Sequence, residues 1–391
     1  MIDYSEILNK KVQAIPPSGI RRFFDLAASM DDVISLGVGE PDFDTPWAVR
    51  EAGIYSLEKG RTFYTANAGL PELREEICRY FSRKYGVQYD SEDNVLVTVG
   101  GSEAIDLALR CLVAEGDEVL IPEPSFVCYK PCTALANGIP VPIETKEENN
   151  FKLTPEQLKA KITDRTKILV LPFPNNPTGG VMTKADLEAI ADVLRDTDIM
   201  VISDEIYSEL RYDGEGHTPF SAIEGMAERT IIINGFSKTF AMTGWRLGYA
   251  LGPKAIIKAM TKVHQFGIMS APTTSQFAAI EAMKSCDDEV DNMVREYNYR
   301  RRYIVDGFRK LGLECFEPLG AFYVFPSIKS TGMSSEEFCQ KLLEEEKVAV
   351  VPGNAFGESG ESFIRCSYAY SIESIETALN RIEAFVKRHK K

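Results

Sequence analysis

The central part of the chain alternates short apolar runs with longer amphipathic stretches, and this pattern restricts the fold more than any other feature. The apolar runs lie at residues 95–99, 118–121, 168–171, 199–202 and 231–233. Runs of this length separated by helical patterns indicate strands that are buried on both faces of a mostly parallel sheet. The sequence therefore predicts an α/β fold with a large domain whose sheet is sandwiched by helices.

A second region carries further strand and helix patterns after residue 289. Strands are predicted at 322–325, 348–351 and 363–365, with helices near 334–346 and 372–388. This order is typical of a smaller α/β domain. We therefore predict an N-terminal segment at 1–46, a large domain at 47–288 and a small domain at 289–391.

Composition and charge narrow the possible functions. The net charge of −14 disfavours general attraction to nucleic acid or membrane, and the triplet Arg300, Arg301 and Arg302 is interpreted as a solvated helix face. No apolar run approaches the length of a membrane span and the N-terminus lacks a signal pattern, so we expect a cytoplasmic protein. The eight scattered cysteines predict no disulfide framework or metal site.

Lys238 is the most informative single residue for chemistry. It closely follows the apolar run 231–233 and is flanked by Ser237 and Arg246. Burial would lower the pKa of such a lysine and free its amine to attack a carbonyl. The hydroxyl and the guanidinium suit a phosphate. These residues together indicate a ligand with both an aldehyde and a phosphate, which is pyridoxal phosphate.

Several polar or glycine residues directly follow the predicted strands, namely Gly100–Ser102, Asn176 and Asp204. Ligands of parallel sheets bind beyond the carboxyl ends of the strands. The glycines would place backbone N–H groups against a phosphate, although a plain turn with a serine cap is also common. A buried Asp204 would be charged beside a protonated pyridine nitrogen, or it would be a capping or ion-paired residue at a strand end.

Six segments in order resemble the class I pyridoxal-phosphate-dependent aminotransferases, the aspartate aminotransferase-like branch of the fold type I enzymes. The resemblance covers nearly the whole chain. The segments are GVGEPDFDTP (37–46), YTANAGL (64–70), PNNPTG (174–179), SDEIY (203–207), SKTFAMTGWR (237–246) and FIRCSY (363–368).

The resemblance implies an enzyme that moves the amino group of an L-amino acid to a 2-oxo acid, with 2-oxoglutarate as the expected acceptor. The mechanism would be ping-pong, with the cofactor alternating between pyridoxal and pyridoxamine phosphate. The same fold and cofactor also serve carbon–sulfur β-lyases, which are the alternative. The resemblance further implies a homodimer, with the N-terminal segment packed on the small domain.

The resemblance also implies roles for individual residues. Catalytic roles fall to Lys238, Asp204 and Tyr207. Cofactor contacts are expected from Gly101, Ser102, Glu103, Phe126, Asn176, Asp204, Tyr207, Ser237, Lys238 and Arg246, and from Tyr64 of the neighbouring subunit. Substrate contacts are expected from Gly37, Val38, Asn176 and Arg365.

The side-chain preference stays open at the level of sequence. Some aspartate-preferring relatives carry a lysine at the position of Ser102, and this chain lacks it. An aspartate, aromatic or broad range of amino acids therefore remains possible. Arg21 is either a source of charge for the substrate or an exposed surface arginine.

Overall fold

The structure, a computed structural model, describes residues 2–17 and 30–389. Its strands are β1 (Ile34–Ser35), β2 (Val95–Thr98), β3 (Glu118–Glu123), β4 (Ile139–Glu144), β5 (Thr166–Leu171), β6 (Met200–Asp204), β7 (Thr230–Gly235), β8 (Gly248–Leu251), β9 (Tyr323–Val324), β10 (Val348–Ala349), β11 (Val351–Pro352) and β12 (Ile364–Ser367). Its α-helices are α1 (Tyr4–Ile7), α2 (Lys10–Ala14), α3 (Trp47–Glu58), α4 (Pro71–Tyr85), α5 (Gly100–Leu112), α6 (Tyr129–Leu135), α7 (Pro155–Lys159), α8 (Lys184–Leu194), α9 (Lys254–Gly267), α10 (Thr273–Ser285), α11 (Asp287–Lys310), α12 (Ser335–Glu346) and α13 (Ile372–His389).

A seven-stranded sheet forms the centre of the large region, in the order β2-β8-β7-β6-β5-β3-β4. Only β8 runs against its neighbours, so the predicted mostly parallel α/β sheet is confirmed. Alternate residues of β7 face opposite sides. Ile231 and Ile233 pack with apolar residues of α5, whereas Ile232 packs with those of α4 and α10. Helices cover both faces, which explains why the strands are apolar throughout.

Two strands of this sheet were missed by the pattern analysis. The strand β4 lies at the edge of the sheet and contains Pro140 and Pro142. Proline cannot donate to a ladder and is therefore confined to edge strands, so its presence hides a strand from pattern analysis. The strand β8 has only four residues.

The smaller region contains a three-stranded sheet, β11-β12-β9, and a two-stranded pair, β1-β10. The predicted strand 348–351 is divided, because its first half pairs with β1 and its second half with β12. Through Ile34 and Ser35, the early part of the chain thus joins the smaller region. The predicted boundary at 288/289 falls inside α11, and the division into domains stays a prediction.

The interpretation of the arginine triplet as a solvated face is wrong for two of its three members. Arg300 and Arg301 are buried, and Arg302 alone is exposed. The Nη1 atom of Arg300 lies 2.7 Å from Asp42 Oδ2, and Nη1 of Arg301 lies 2.8 Å from an oxygen of Glu317. Burial of an arginine is tolerated because each guanidinium is paired and hydrogen-bonded.

Residues 2–17 and 30–389 contain neither a membrane-spanning helix nor a cluster of metal-binding side chains. None of the helices there has the length and apolar character needed to cross a membrane. No cluster of three or more histidine, cysteine or acidic side chains in those ranges could hold a metal ion.

Candidate active site

A cavity of about 590 Å³ opens at the carboxyl ends of the parallel strands. Its volume is typical of a small-molecule site. The fold brings eleven of the predicted residues together in its walls: Val38, Gly101, Ser102, Phe126, Asn176, Asp204, Tyr207, Ser237, Lys238, Arg246 and Arg365.

Lys238 projects into this cavity from the turn after β7. Its Nζ donates a hydrogen bond of 2.6 Å to the carbonyl oxygen of Gly39. Burial lowers the pKa of Lys238 to about 8, with smaller contributions from the cations Arg365 and Arg246, while Glu40 acts in the opposite direction. About a tenth of the amine is therefore neutral at pH 7 and about half at pH 8, and the neutral form is the one that a nucleophile or base requires.

Asp204 is the last residue of β6 and is buried. Its Oδ2 accepts a hydrogen bond of 2.7 Å from Tyr129 Oη, and its Oδ1 accepts one of 3.2 Å from the backbone N–H of Ile206. Burial raises the pKa of Asp204 to about 6 despite these two donors. A cationic group in the cavity would reverse that effect and hold the carboxylate in its charged form.

An anion cradle lies where β2 turns into α5. Gly100 has a φ of +74°, and a Cβ added to it would lie 2.8 Å from Nη2 of Arg246. Gly101 and Ser102 begin the helix, where free N–H groups point outward. Ser237 and Arg246 line the same cavity as Gly101 and Ser102. Backbone N–H groups, a hydroxyl and a guanidinium therefore all border this cavity. This donor set fits the phosphate of pyridoxal phosphate.

Arg365 lies in β12 and is buried. Its Nη1 donates to Asn176 Oδ1 at 3.0 Å, and its Nη2 donates to the carbonyl oxygen of Gly37. Its Nε is buried with no hydrogen-bond partner among the described residues. The guanidinium carbon lies 4.5 Å from the ring centre of Tyr323. An unsatisfied guanidinium N–H beside a cavity is suited to a carboxylate from a ligand.

Tyr207 and Tyr323 touch through their hydroxyl oxygens, which lie 2.9 Å apart. Burial raises the pKa of Tyr207 well above its usual value, and the neighbouring Tyr323 makes a smaller contribution in the same direction. The hydroxyl of Tyr207 therefore keeps its proton. Tyr323 and Tyr129 were not among the predicted residues. Both line the cavity, and neither belongs to one of the six segments that resemble the aminotransferases.

Three described residues of the prediction lie outside the walls of this cavity. The carboxylate of Glu103 is turned away from the cavity, because it accepts from the Val99 N–H and lies 2.7 Å from Nδ1 of His264 on α9. Gly37 supplies its carbonyl to Arg365 and does not line the cavity. Tyr64 is 80% exposed and outside the cavity of its own subunit. Arg21 lies outside the described residues.

Comparisons with known proteins agree on one family. The sequence model of "Aminotransferase class I and II" matches residues 31–382. The chain is 53% identical to the putative aminotransferase YugH of Bacillus subtilis, over 97% of this chain and 98% of that protein. It is 45% identical to the aspartate aminotransferase of Pyrococcus abyssi, over 98% and 99% of the two chains.

A solved structure also resembles this one closely. The aromatic aminotransferase from Pyrococcus horikoshii superimposes with a TM-score of 0.90 at 43% identity, covering 94% of this chain and 99% of that one. The resemblance thus extends through the sheet, the helices and the smaller region. The chain belongs to the class I and II aminotransferases and is a pyridoxal-phosphate-dependent transaminase.

Proposed function

We propose that this transaminase transfers the amino group of an L-amino acid to 2-oxoglutarate, with Lys238 as the residue that binds the cofactor and moves the proton. The observation that carries the proposal is the position of the Lys238 amine, whose pKa is lowered to about 8, in one cavity with Asp204 and Arg365. A nucleophile, a buried acid and a carboxylate anchor are the three groups that this reaction needs.

The cofactor would be held at both ends by residues of this cavity. The cradle of Gly101, Ser102, Ser237 and Arg246 would bind the phosphate. Asp204, Tyr207, Asn176 and Phe126 would contact the ring, with Phe126 packed on its face. When bound, pyridoxal phosphate supplies a carbonyl carbon that joins to an amine and a protonated ring that withdraws electrons.

Lys238 would act as the base and acid of the reaction. Its Nζ accepts the proton from the α-carbon of the amino acid in its neutral form, which burial favours by lowering the pKa of Lys238. Arg365 holds the α-carboxylate and so fixes the orientation in which the single α-hydrogen faces the amine. Asn176 keeps Arg365 in place through the 3.0 Å contact between its Oδ1 and Nη1.

A pH-dependent stability of the cofactor-free protein follows from Asp204. Its folded pKa of about 6 exceeds the reference value of 3.8, so its contribution to stability is fully present below pH 4 and is lost as pH rises through 6. This loss should reach about 3 kcal/mol of the free energy of unfolding, because each unit of difference between the folded and unfolded pKa contributes about 1.4 kcal/mol. The apoprotein of Asp204→Asn should therefore gain Tm over the wild-type apoprotein at pH 7.5, and about half as much at pH 5, where roughly half of the loss has already occurred.

The control for this prediction is Asp192→Asn, which removes an exposed carboxylate whose ion pair within the described part of the chain is with Arg195. Its Tm difference from the wild type should be the same at both pH values. With pyridoxal phosphate added at pH 7.5, the wild type should instead have the higher Tm, because the asparagine of Asp204→Asn cannot form an ion pair with a protonated pyridine ring. An equal Tm difference for Asp204→Asn at pH 5 and pH 7.5 would show that burial does not shift this carboxyl group.

We also propose a homodimer in which Tyr64 contacts the neighbouring site. Phe63, Tyr64 and Phe266 are more than three-quarters exposed. The segment that carries Phe63 and Tyr64 is joined to the residues that follow α9, because Thr273 Oγ1 donates to the Phe63 carbonyl at 2.6 Å and Asn67 Nδ2 donates to that of Met269 at 2.8 Å. Such a firmly held group of exposed apolar side chains is typical of an interface.

The test of the proposed function is a half-reaction followed by absorbance. Excess L-glutamate, added to the holoenzyme without any oxo acid, should replace the visible band of the lysine-bound cofactor by the near-ultraviolet band of pyridoxamine phosphate. One equivalent of 2-oxoglutarate should appear per site, with no ammonia. Sustained release of ammonia and pyruvate from cystathionine or cysteine, with no response to glutamate, would instead establish a carbon–sulfur lyase.

A further inference from the structure

A second cavity of about 630 Å³ lies beside the active site. It is bounded by the end of α2, by the junction of β3 and α6, and by residues 354–358 of the smaller region. Its apolar wall includes Ile15, Ile121, Val127, Ala134, Ala355 and Phe356. We call this cavity the side chamber. Phe126 lines both the side chamber and the active-site cavity, so one aromatic side chain is shared between them.

Phe356 links the side chamber to the carboxylate anchor. The guanidinium carbon of Arg365 lies 4.9 Å from the ring centre of Phe356, which is a chamber wall. The backbone N–H of Ser125 donates to the Phe356 carbonyl at 3.0 Å and fixes this wall beside Phe126. If the α-carboxylate of an amino acid contacts Arg365, only the ring of Phe356 therefore separates that contact from the side chamber.

The charges of the side chamber are unfavourable for a second carboxylate. The charged residues in its described wall are Glu123, Glu358 and Lys130. Lys130 is already paired with Glu123. Gly357 packs on this glutamate so closely that an added Cβ would lie 2.4 Å from its Oε2. A substrate carboxylate would thus meet two like charges and a cation that is already neutralised.

The active-site cavity offers no spare cation either among its described residues. Lys238, Arg246 and Arg365 are the basic side chains in its wall. The proposed function assigns the first to the cofactor and the proton, the second to the phosphate and the third to the α-carboxylate. An aromatic side chain needs no cation, and it would bury apolar surface against Phe126, Val127 and Phe356.

We propose that the side chamber receives the side chain of the amino donor and that this transaminase prefers aromatic amino acids to aspartate. The inference rests on the proposed function and assigns its substrate class. Apolar contact in the chamber stabilises the ring of the donor, and the two glutamates repel a distal carboxylate.

The first experiment measures binding, separately from turnover. The holoenzyme is titrated with 3-phenylpropionate and with succinate, two unreactive carboxylates that differ only in the group at the far end. The dissociation constant, read from the change in the visible band, should be lower for 3-phenylpropionate by roughly tenfold or more. Tighter binding of succinate would overturn the proposal.

The second experiment narrows the side chamber from two independent walls. Ala134→Leu and Ala355→Leu each add bulk inside it, whereas Ala114→Leu adds the same bulk at an exposed alanine that lines neither cavity. Each chamber variant should lower kcat/KM for L-phenylalanine by roughly tenfold. Turnover of L-alanine, whose methyl group does not reach the chamber, should stay close to that of the wild type.

The outcomes separate this inference from the proposed function. If L-phenylalanine and L-alanine lose activity equally in both variants, or if aspartate is the better donor of the wild type, the chamber is not the side-chain site although transamination stands. If no amino acid converts the visible band, the proposed function itself fails. The two wall variants lie on different segments, so failure of one to fold leaves the other as the test.

Discussion

Replacing Lys238 with alanine is expected to lower the rate of amino-group transfer by about 10³-fold or more, since general acid–base groups alone typically contribute 10²–10⁴-fold. The fold should be unaffected, because among the described residues the side chain makes one hydrogen bond, to Gly39, lies over the ring of Phe322 and otherwise faces the cavity. The variant should also lose the visible absorption band of the lysine-bound cofactor. Stopped-flow absorbance with L-glutamate measures both effects.

Two further variants show whether the chemistry belongs to this amine. Lys238→Arg keeps a positive charge but has a pKa too high to supply a neutral base, so it should be as inactive as the alanine variant. Lys310→Ala removes an exposed lysine far from the cavity and should retain full activity. A Lys238→Ala protein that keeps the visible band and turns over within tenfold of the wild type would remove Lys238 from the mechanism.

The position of the site could be predicted because it depends on strand direction. Lys238, Asp204 and Asn176 each follow an apolar run, and parallel strands end at the same edge of the sheet. Their proximity thus follows from local patterns and one rule about sheets. The lowered pKa of Lys238 follows in the same way, since a lysine at such an edge is surrounded by the covering chain.

The supporting residues could not be predicted, because their contacts join distant parts of the chain. Tyr129 donates to Asp204 across 75 positions, and Tyr323 touches Tyr207 across 116. Glu103 was assigned to the cofactor from its place at a helix start, yet it turns to His264, 161 positions away. Local periodicity contains no information on such pairs, which form only when the helices and the smaller region pack.

The burial of the arginines in α11 has the same origin. The repeated charges along this helix are typical of a solvated surface. Arg300 instead pairs with Asp42, 258 positions earlier, and so connects the segment 37–46 to the helix. The sequence contains both residues of this pair, but only the tertiary fold places them together.

Replacing Arg365 with leucine is expected to weaken use of every amino acid donor through the loss of the α-carboxylate contact. Removing one partner of a buried charge pair costs about 2–5 kcal/mol, which corresponds to a fall of roughly 30- to 4000-fold in kcat/KM. Most of the fall should appear as a higher KM, since the anchor binds the substrate before the proton moves. Arg365→Lys should be intermediate, because it keeps the charge but loses the fork that matches a carboxylate.

A donor without a carboxylate tests whether this loss is specific. Phenethylamine has the ring and amine of phenylalanine but nothing for Arg365 to bind, so its slow half-reaction should be similar in the wild type and in Arg365→Leu. The visible band should persist in the variant, because Lys238 and the phosphate cradle are intact. Equal loss of phenylalanine and phenethylamine would mean that leucine disturbs Asn176 and the Gly37 carbonyl, the two groups left unpaired. Loss of phenylalanine alone would assign the guanidinium of Arg365 to the α-carboxylate of the substrate.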